Sequence, residues 1–95
     1  MKRDEHLLVI LAEECSEVAK EAAKALRFGL DDKEPNQDLT NRKKIATEFN
    51  DLYAVMSMCL DAGILNDSDM LVATEMEAKK QKVEKYFKYS KSVGK

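Results

Sequence analysis

Tryptophan is absent from these 95 residues, histidine and proline occur once each, cysteine twice and glycine three times. Each scarcity closes off a class of protein. So few turn formers cannot supply the repeated reversals of an all-β fold. The two cysteines, Cys15 and Cys59, allow at most one bridge and have no metal-type spacing. A disulfide scaffold and a zinc module are therefore excluded, and both are expected as buried thiols. There is no glycine-rich phosphate loop and no Ser/His/Asp set, and the lone His6 has no catalytic companion. The longest apolar run, residues 7–12, has six residues against the roughly 20 that cross a bilayer, and no cleavable signal precedes it. The expectation is a chain with no membrane partner, placed in the cytoplasm.

What is present is charge, at 36% of residues, beside 44% hydrophobic residues, the balance of a helix-rich single domain over residues 1–95. The net charge of −2 hides an asymmetry: residues 79–95 carry seven lysines and one glutamate, a net +6, which leaves −8 for residues 1–78. An acidic body argues against a nucleic-acid partner or any phosphate-rich partner unless a cation mediates. The basic end can meet phosphates directly.

Apolar residues at Leu7, Leu11, Val18, Ala22 and Ala25 recur at the helical period and predict a first helix over residues 4–27, stopped at Phe28-Gly29. Residues 30–38, with Asp31, Asp32, Pro35 and Asn36, read as a surface loop. A second run through Ile45, Phe49, Leu52, Met56 and Cys59 starts between residues 38 and 40 and closes at Gly63. Asn66-Asp67-Ser68 offers caps for a third helix through Leu71, Met76, Val83 and Phe87, with residues 90–95 fraying. The apolar and alanine positions of the first helix cover well over half its circumference, more than one packing partner buries. The expected fold is all-α: three main helices forming a four-helix-type bundle completed by a second copy, as a homodimer or a dimer of dimers, with Leu7, Leu11 or Leu52 near the shared core.

Glu14 falls among the buried positions of the first helix, and Glu17 and Glu21 follow along one edge of that stripe. Glu48 and Asp51, three apart on the second helix, flank Ile45, Leu52 and Val55. Burying unpaired carboxylates side by side is costly, so something positive belongs there. If the two helices pack antiparallel, Glu14 and Glu17 face Glu48 and Asp51. An all-oxygen set of this kind suits Mg²⁺, or Mn²⁺ in its place, which shares its remaining positions with substrate phosphates.

Glu13-Glu14-Cys15-Ser16-Glu17 followed by Glu48-Phe49-Asn50-Asp51, with Leu52-Tyr53 continuing it, resembles the signature of the all-α nucleoside triphosphate pyrophosphohydrolases, the MazG-like superfamily. That group also holds dimeric dUTP pyrophosphatases and phosphoribosyl-ATP pyrophosphohydrolase. The resemblance spans residues 7–62, and its 30-residue interval between Glu17 and Glu48 is longer than is usual for MazG-type members. It implies a Mg²⁺-dependent hydrolase that cuts a nucleoside triphosphate between the α and β phosphates, with Glu14, Glu17, Glu48 and Asp51 as metal ligands. Glu13 is then a helper beside the ligands, and so is Glu21, which lies outside the motif. Either Glu13 or Glu17 is placed to take the proton of the attacking water. The last helix of this group tends to bring basic residues to the phosphates, a role that falls here to Lys79, Lys82 and Lys85, which are spaced to share a face. Phosphoribosyl-ATP pyrophosphohydrolase is the nearest alternative, although its usual His after the second-motif aspartate is Leu52 here. A non-catalytic helical module whose acidic ridge binds a basic partner is the alternative of another class.

Overall fold

With no glycine or proline before Gly29, nothing interrupts the first helix, and α1 runs Arg3–Phe28 in the computed structural model, which describes residues 1–95. α2 follows over Asn41–Asp61 and α3 over Ala73–Ser92; a single 3-10 turn, Asp67–Asp69, lies between them, and there is no β-strand. The protein is all-α. No helix is long and apolar enough to cross a membrane.

The chain divides into two compact units, Met1–Leu65 and Asn66–Lys95. In the first, α1 and α2 pack along their lengths as a helical hairpin. Leu7, Ala25 and Cys59 are buried there, and Leu11, Val18, Ile45, Leu52 and Val55 are half-buried around them. These are the stripes read from the sequence. Cys15 does not join them: it is exposed, unlike Cys59, against the expectation of two buried thiols. The reason is its position on the wheel. Leu8, Cys15 and Leu26 fall roughly 100° round α1 from the stripe that meets α2, and this second apolar face is open in the single chain.

In the second unit, Asn66-Asp67-Ser68 opens the 3-10 turn and not α3. Met70 is extended and Leu71 has φ +53, so the backbone leaves helical geometry before α3 begins at Ala73. α3 then continues to Ser92, through residues expected to fray, and Met76, Val83 and Phe87 on it are exposed.

The connection between α1 and α2 is clamped at its base. Gly29, at φ +98, takes a conformation that a side chain would oppose, and its N–H closes the helix on the Ala25 carbonyl. Thr40 caps α2 by accepting from the Lys43 N–H at 3.1 Å. Asn41 is the tie: its side-chain amide donates to the Gly29 carbonyl at 2.9 Å, and its backbone N–H donates to the Asp32 carbonyl at 2.9 Å. Arg42 adds a backbone bond to the Leu30 carbonyl at 2.8 Å and an ion pair with Asp31 at 3.1 Å.

Asn41 is 1% exposed, so Asn41→Ala takes the donor from the part-buried Gly29 carbonyl and opens a small void. The expected cost is about 1–3 kcal/mol, a fall in melting temperature of several degrees or more for a chain of this size, readable by circular dichroism. An unchanged melting curve would mean that the connection is held by its backbone bonds alone.

Candidate metal centre

α1 brings Glu14, Glu17 and Glu21 to the seam with α2 because residues three and four apart share a helix face, and α2 meets them with Glu48 and Asp51 for the same reason. One carboxylate oxygen from each of Glu14, Glu48 and Asp51 lies within 4.8 Å of the others, and the same holds for Glu17, Glu21 and Glu48. Glu48 belongs to both groups. Glu14 meets Asp51 while Glu21, further along α1, meets the earlier Glu48, so the helices run antiparallel. Glu13 is exposed and joins neither group; its backbone carbonyl accepts from the Ser16 hydroxyl at 2.7 Å.

Glu17 has a loose ion pair with Lys20 at 3.9 Å, and Glu21 has one with Lys24 at 3.7 Å. Glu14, Glu48 and Asp51 have no cationic partner. One oxygen of Glu14 and one of Glu21 are sealed from solvent with no hydrogen-bond donor, and the Glu21 side chain is only 8% exposed. Such atoms are costly to leave unpaired. Burial, then the charges of Asp51, Glu17, Glu14 and Glu21, raise the Glu48 carboxyl above the ordinary glutamate range. An all-carboxylate set with orphaned oxygens fits a hard divalent cation such as Mg²⁺ or Mn²⁺.

Glu14, Glu17, Glu48 and Asp51, the four ligands expected from sequence, thus lie on one seam. Glu21 stands among them as a direct contributor to the second group, where a helper role was expected. Its i, i+4 relation to Glu17 was the available signal. Lys79, Lys82 and Lys85 lie exposed on α3 in the second unit. Sequence reasoning passed over Lys24 and Lys44. Lys24 pairs with Glu34 of the connection at 2.8 Å, and Lys44 approaches the other oxygen of Glu34 at 3.6 Å. Compared with known protein families, curated proteins and solved structures, the chain matches none of them.

The folded protein holds the Glu48 proton to higher pH than the unfolded chain does. It therefore binds more protons through that interval, and its stability falls as pH rises from the ordinary carboxylate range through the folded value. In metal-free buffer the melting curves of the unmodified chain and Glu48→Gln should diverge as pH rises above the ordinary carboxylate range, with the variant the more stable near neutrality. Mg²⁺ at about ten times its dissociation constant should add on the order of 1.4 kcal/mol to the unmodified chain, several degrees, and less to the variant. Parallel pH curves, or a response to Mg²⁺ no larger than to sodium at matched ionic strength, would reduce the seam to a solvated acidic face.

Proposed function

We propose that the chain is a Mg²⁺-dependent nucleoside triphosphate pyrophosphohydrolase of the MazG-like superfamily, acting on cytoplasmic nucleotides and releasing a nucleoside monophosphate and pyrophosphate. The observation that carries the reading is the meeting of Glu14, Glu17, Glu48 and Asp51, from consecutive helices and in the order of the signature, around carboxylate oxygens that have no partner. Glu14, Glu48 and Asp51 would hold one cation and Glu17, Glu21 and Glu48 a second. Bound Mg²⁺ supplies neutralisation of the phosphoryl oxygens and a more acidic water. The chain's own part is positioning. Two turns of α1 and one of α2 fix the carboxylates, so the triphosphate is bound at one orientation along the seam. Glu17, its side chain 45% exposed and paired only loosely with Lys20, would accept the proton of the attacking water.

Incubated with a nucleotide panel that includes phosphoribosyl-ATP, the chain should release pyrophosphate in Mg²⁺ and none with chelator. Glu14→Ala and Asp51→Ala should lower turnover by orders of magnitude with the fold kept, while Lys91→Ala changes little. Diphosphate plus inorganic phosphate as products would overturn the cleavage position. Full activity in Glu14→Ala would overturn the metal centre, and inertness toward the whole panel would favour the interaction module.

The same reading includes a homodimer. Leu7 is already buried within the hairpin, so a shared core falls instead to Leu8, Val9 and Leu26 on α1 and to Phe49, Tyr53 and Met58 on α2, all exposed in the single chain. Covering them with a second copy removes a large apolar surface from water. Light scattering at micromolar concentration should give a dimer or a dimer of dimers, with Cys15 reacting slowly with a thiol reagent. A stable monomer with a fast-reacting Cys15 would overturn the shared bundle.

A further inference from the structure

The polar seam does not end at the carboxylates. One turn beyond Glu21 on α1 stands Lys24, and one turn before Glu48 on α2 stands Lys44, so the seam reverses sign at the end nearest the connection. These two lysines are unlike most of the chain's others. Their side chains are 21% and 13% exposed, with the ammonium groups turned inward onto a single anion, the carboxylate of Glu34. That carboxylate spans them, one oxygen at 2.8 Å from Lys24 and the other at 3.6 Å from Lys44.

Two converging ammonium groups around one bidentate anion are what a phosphoryl group needs. We propose that Lys24 and Lys44 form a phosphate subsite for a polyphosphate bound along the seam, and that Glu34 is its internal occupant, displaced when the ligand enters. The inference rests on the pyrophosphohydrolase reading only for the identity of the anion.

The connection is built for such an exchange. Its base is fixed by the bonds of Asn41 and Arg42, whereas Glu34 opens a tight turn at the tip, closed by the Gln37 N–H on the Glu34 carbonyl at 3.0 Å. Pro35 followed by Asn36 at φ +64 is the pattern of a type II turn, held by its own backbone. The Glu34 side chain is 39% exposed, so it can swing to solvent by rotation about its own bonds, with the turn and the clamp left in place. Hydrogen bonding to Lys24, then the charges of Lys24 and Lys44, keep the Glu34 carboxyl below its ordinary range, so the competing anion is always charged near neutral pH. A divalent cation shared by Glu17, Glu21 and Glu48 would also draw off the negative charge that now faces Lys24 at 3.7 Å. The lysine corner would then hold more positive charge than Glu34 alone balances.

The test is calorimetric titration of inorganic triphosphate into the 95-residue chain, in metal-free buffer and again with Mg²⁺, so that no turnover is required. Lys44→Met, which keeps the apolar stem, should weaken binding about tenfold or more, the worth of one charge-assisted contact. Glu34→Gln should tighten binding severalfold, and that gain should vanish in the Lys44→Met background. Binding in Glu34→Gln equal to or weaker than in the unmodified chain, with the fold retained, would make Glu34 a structural tie and overturn the proposal. Should Glu34→Gln not fold, Lys44→Met still decides, since unchanged affinity overturns the subsite. Triphosphate binding that follows this pattern in a protein inert toward nucleotides upholds the subsite and removes the hydrolase. Nucleotide turnover with binding indifferent to Lys44 does the reverse.

Discussion

Five carboxylates share the interface on which this hairpin depends for its packing, and their mutual repulsion is the constraint around which the rest is arranged. At the separations within each group, like charges repel by a few kcal/mol per pair at the effective dielectric of a protein surface, less where Asp51 is open to water. A small domain is stable by only about 5–15 kcal/mol in total. A cluster of this size is therefore tolerable only if it is offset. Lys20 and Lys24 offset part of it, through ion pairs too long to be strong. Glu48, in both groups and without a cationic partner, responds by holding its proton longer, which is how a buried carboxylate lowers its own cost. A divalent cation, where one binds, would act on all members together.

The same constraint orders the neighbouring residues. Fields of one sign draw the opposite sign to their edges, and the lysines at the loop end of the seam lie where the acidic groups stop. Glu34 then completes an alternation from carboxylates to ammonium groups to a carboxylate. That sequence of charge is complementary to a cation-bound polyphosphate laid along the hairpin. Such an alternation needs a rigid connection, since a loop free to wander would not return Glu34 to both lysines. The clamp from Asn41 and Arg42 to Leu30, Asp32 and Gly29 provides the rigidity.

Much of this was legible in the sequence because helical period is a strong signal. Glu14 read as a carboxylate on a buried stripe and is half-buried with a sealed oxygen, and the Glu48/Asp51 pair flanks the stripe expected of it. The limits of the first two helices came within a few residues of α1 and α2, since Gly29 and Gly63 mark their ends unambiguously. Legibility failed where tertiary or backbone detail decides. Leu71 at positive φ cannot be foreseen from a leucine, so α3 was started too early, at Asn66-Asp67-Ser68. Glu34 is one charge among several in a polar loop, and only the fold shows that it bridges Lys24 and Lys44. Cys15 was assigned to a core by composition, while the wheel puts it on a face that α2 does not reach.

Site and core compete for the same surface here, and the competition explains the exposed apolar residues. Every seam position given to a carboxylate is withdrawn from apolar packing, and among the apolar residues Leu7, Ala25 and Cys59 alone are buried. At about 25 cal/mol per Å² these three side chains cannot offset the entropy of ordering two long helices. Stability has to be recovered from other faces. α1 carries one in Leu8, Cys15 and Leu26, lined between them by Ala12, Ala19 and Ala22, whose small side chains permit close approach of another helix. In the proposed dimer, with the acids kept on one seam and a second copy on the other face, no larger core within the chain would be needed. The breadth of apolar surface on α1 is therefore a consequence of the acidic seam, because a helix that gives one face to charge must bury another.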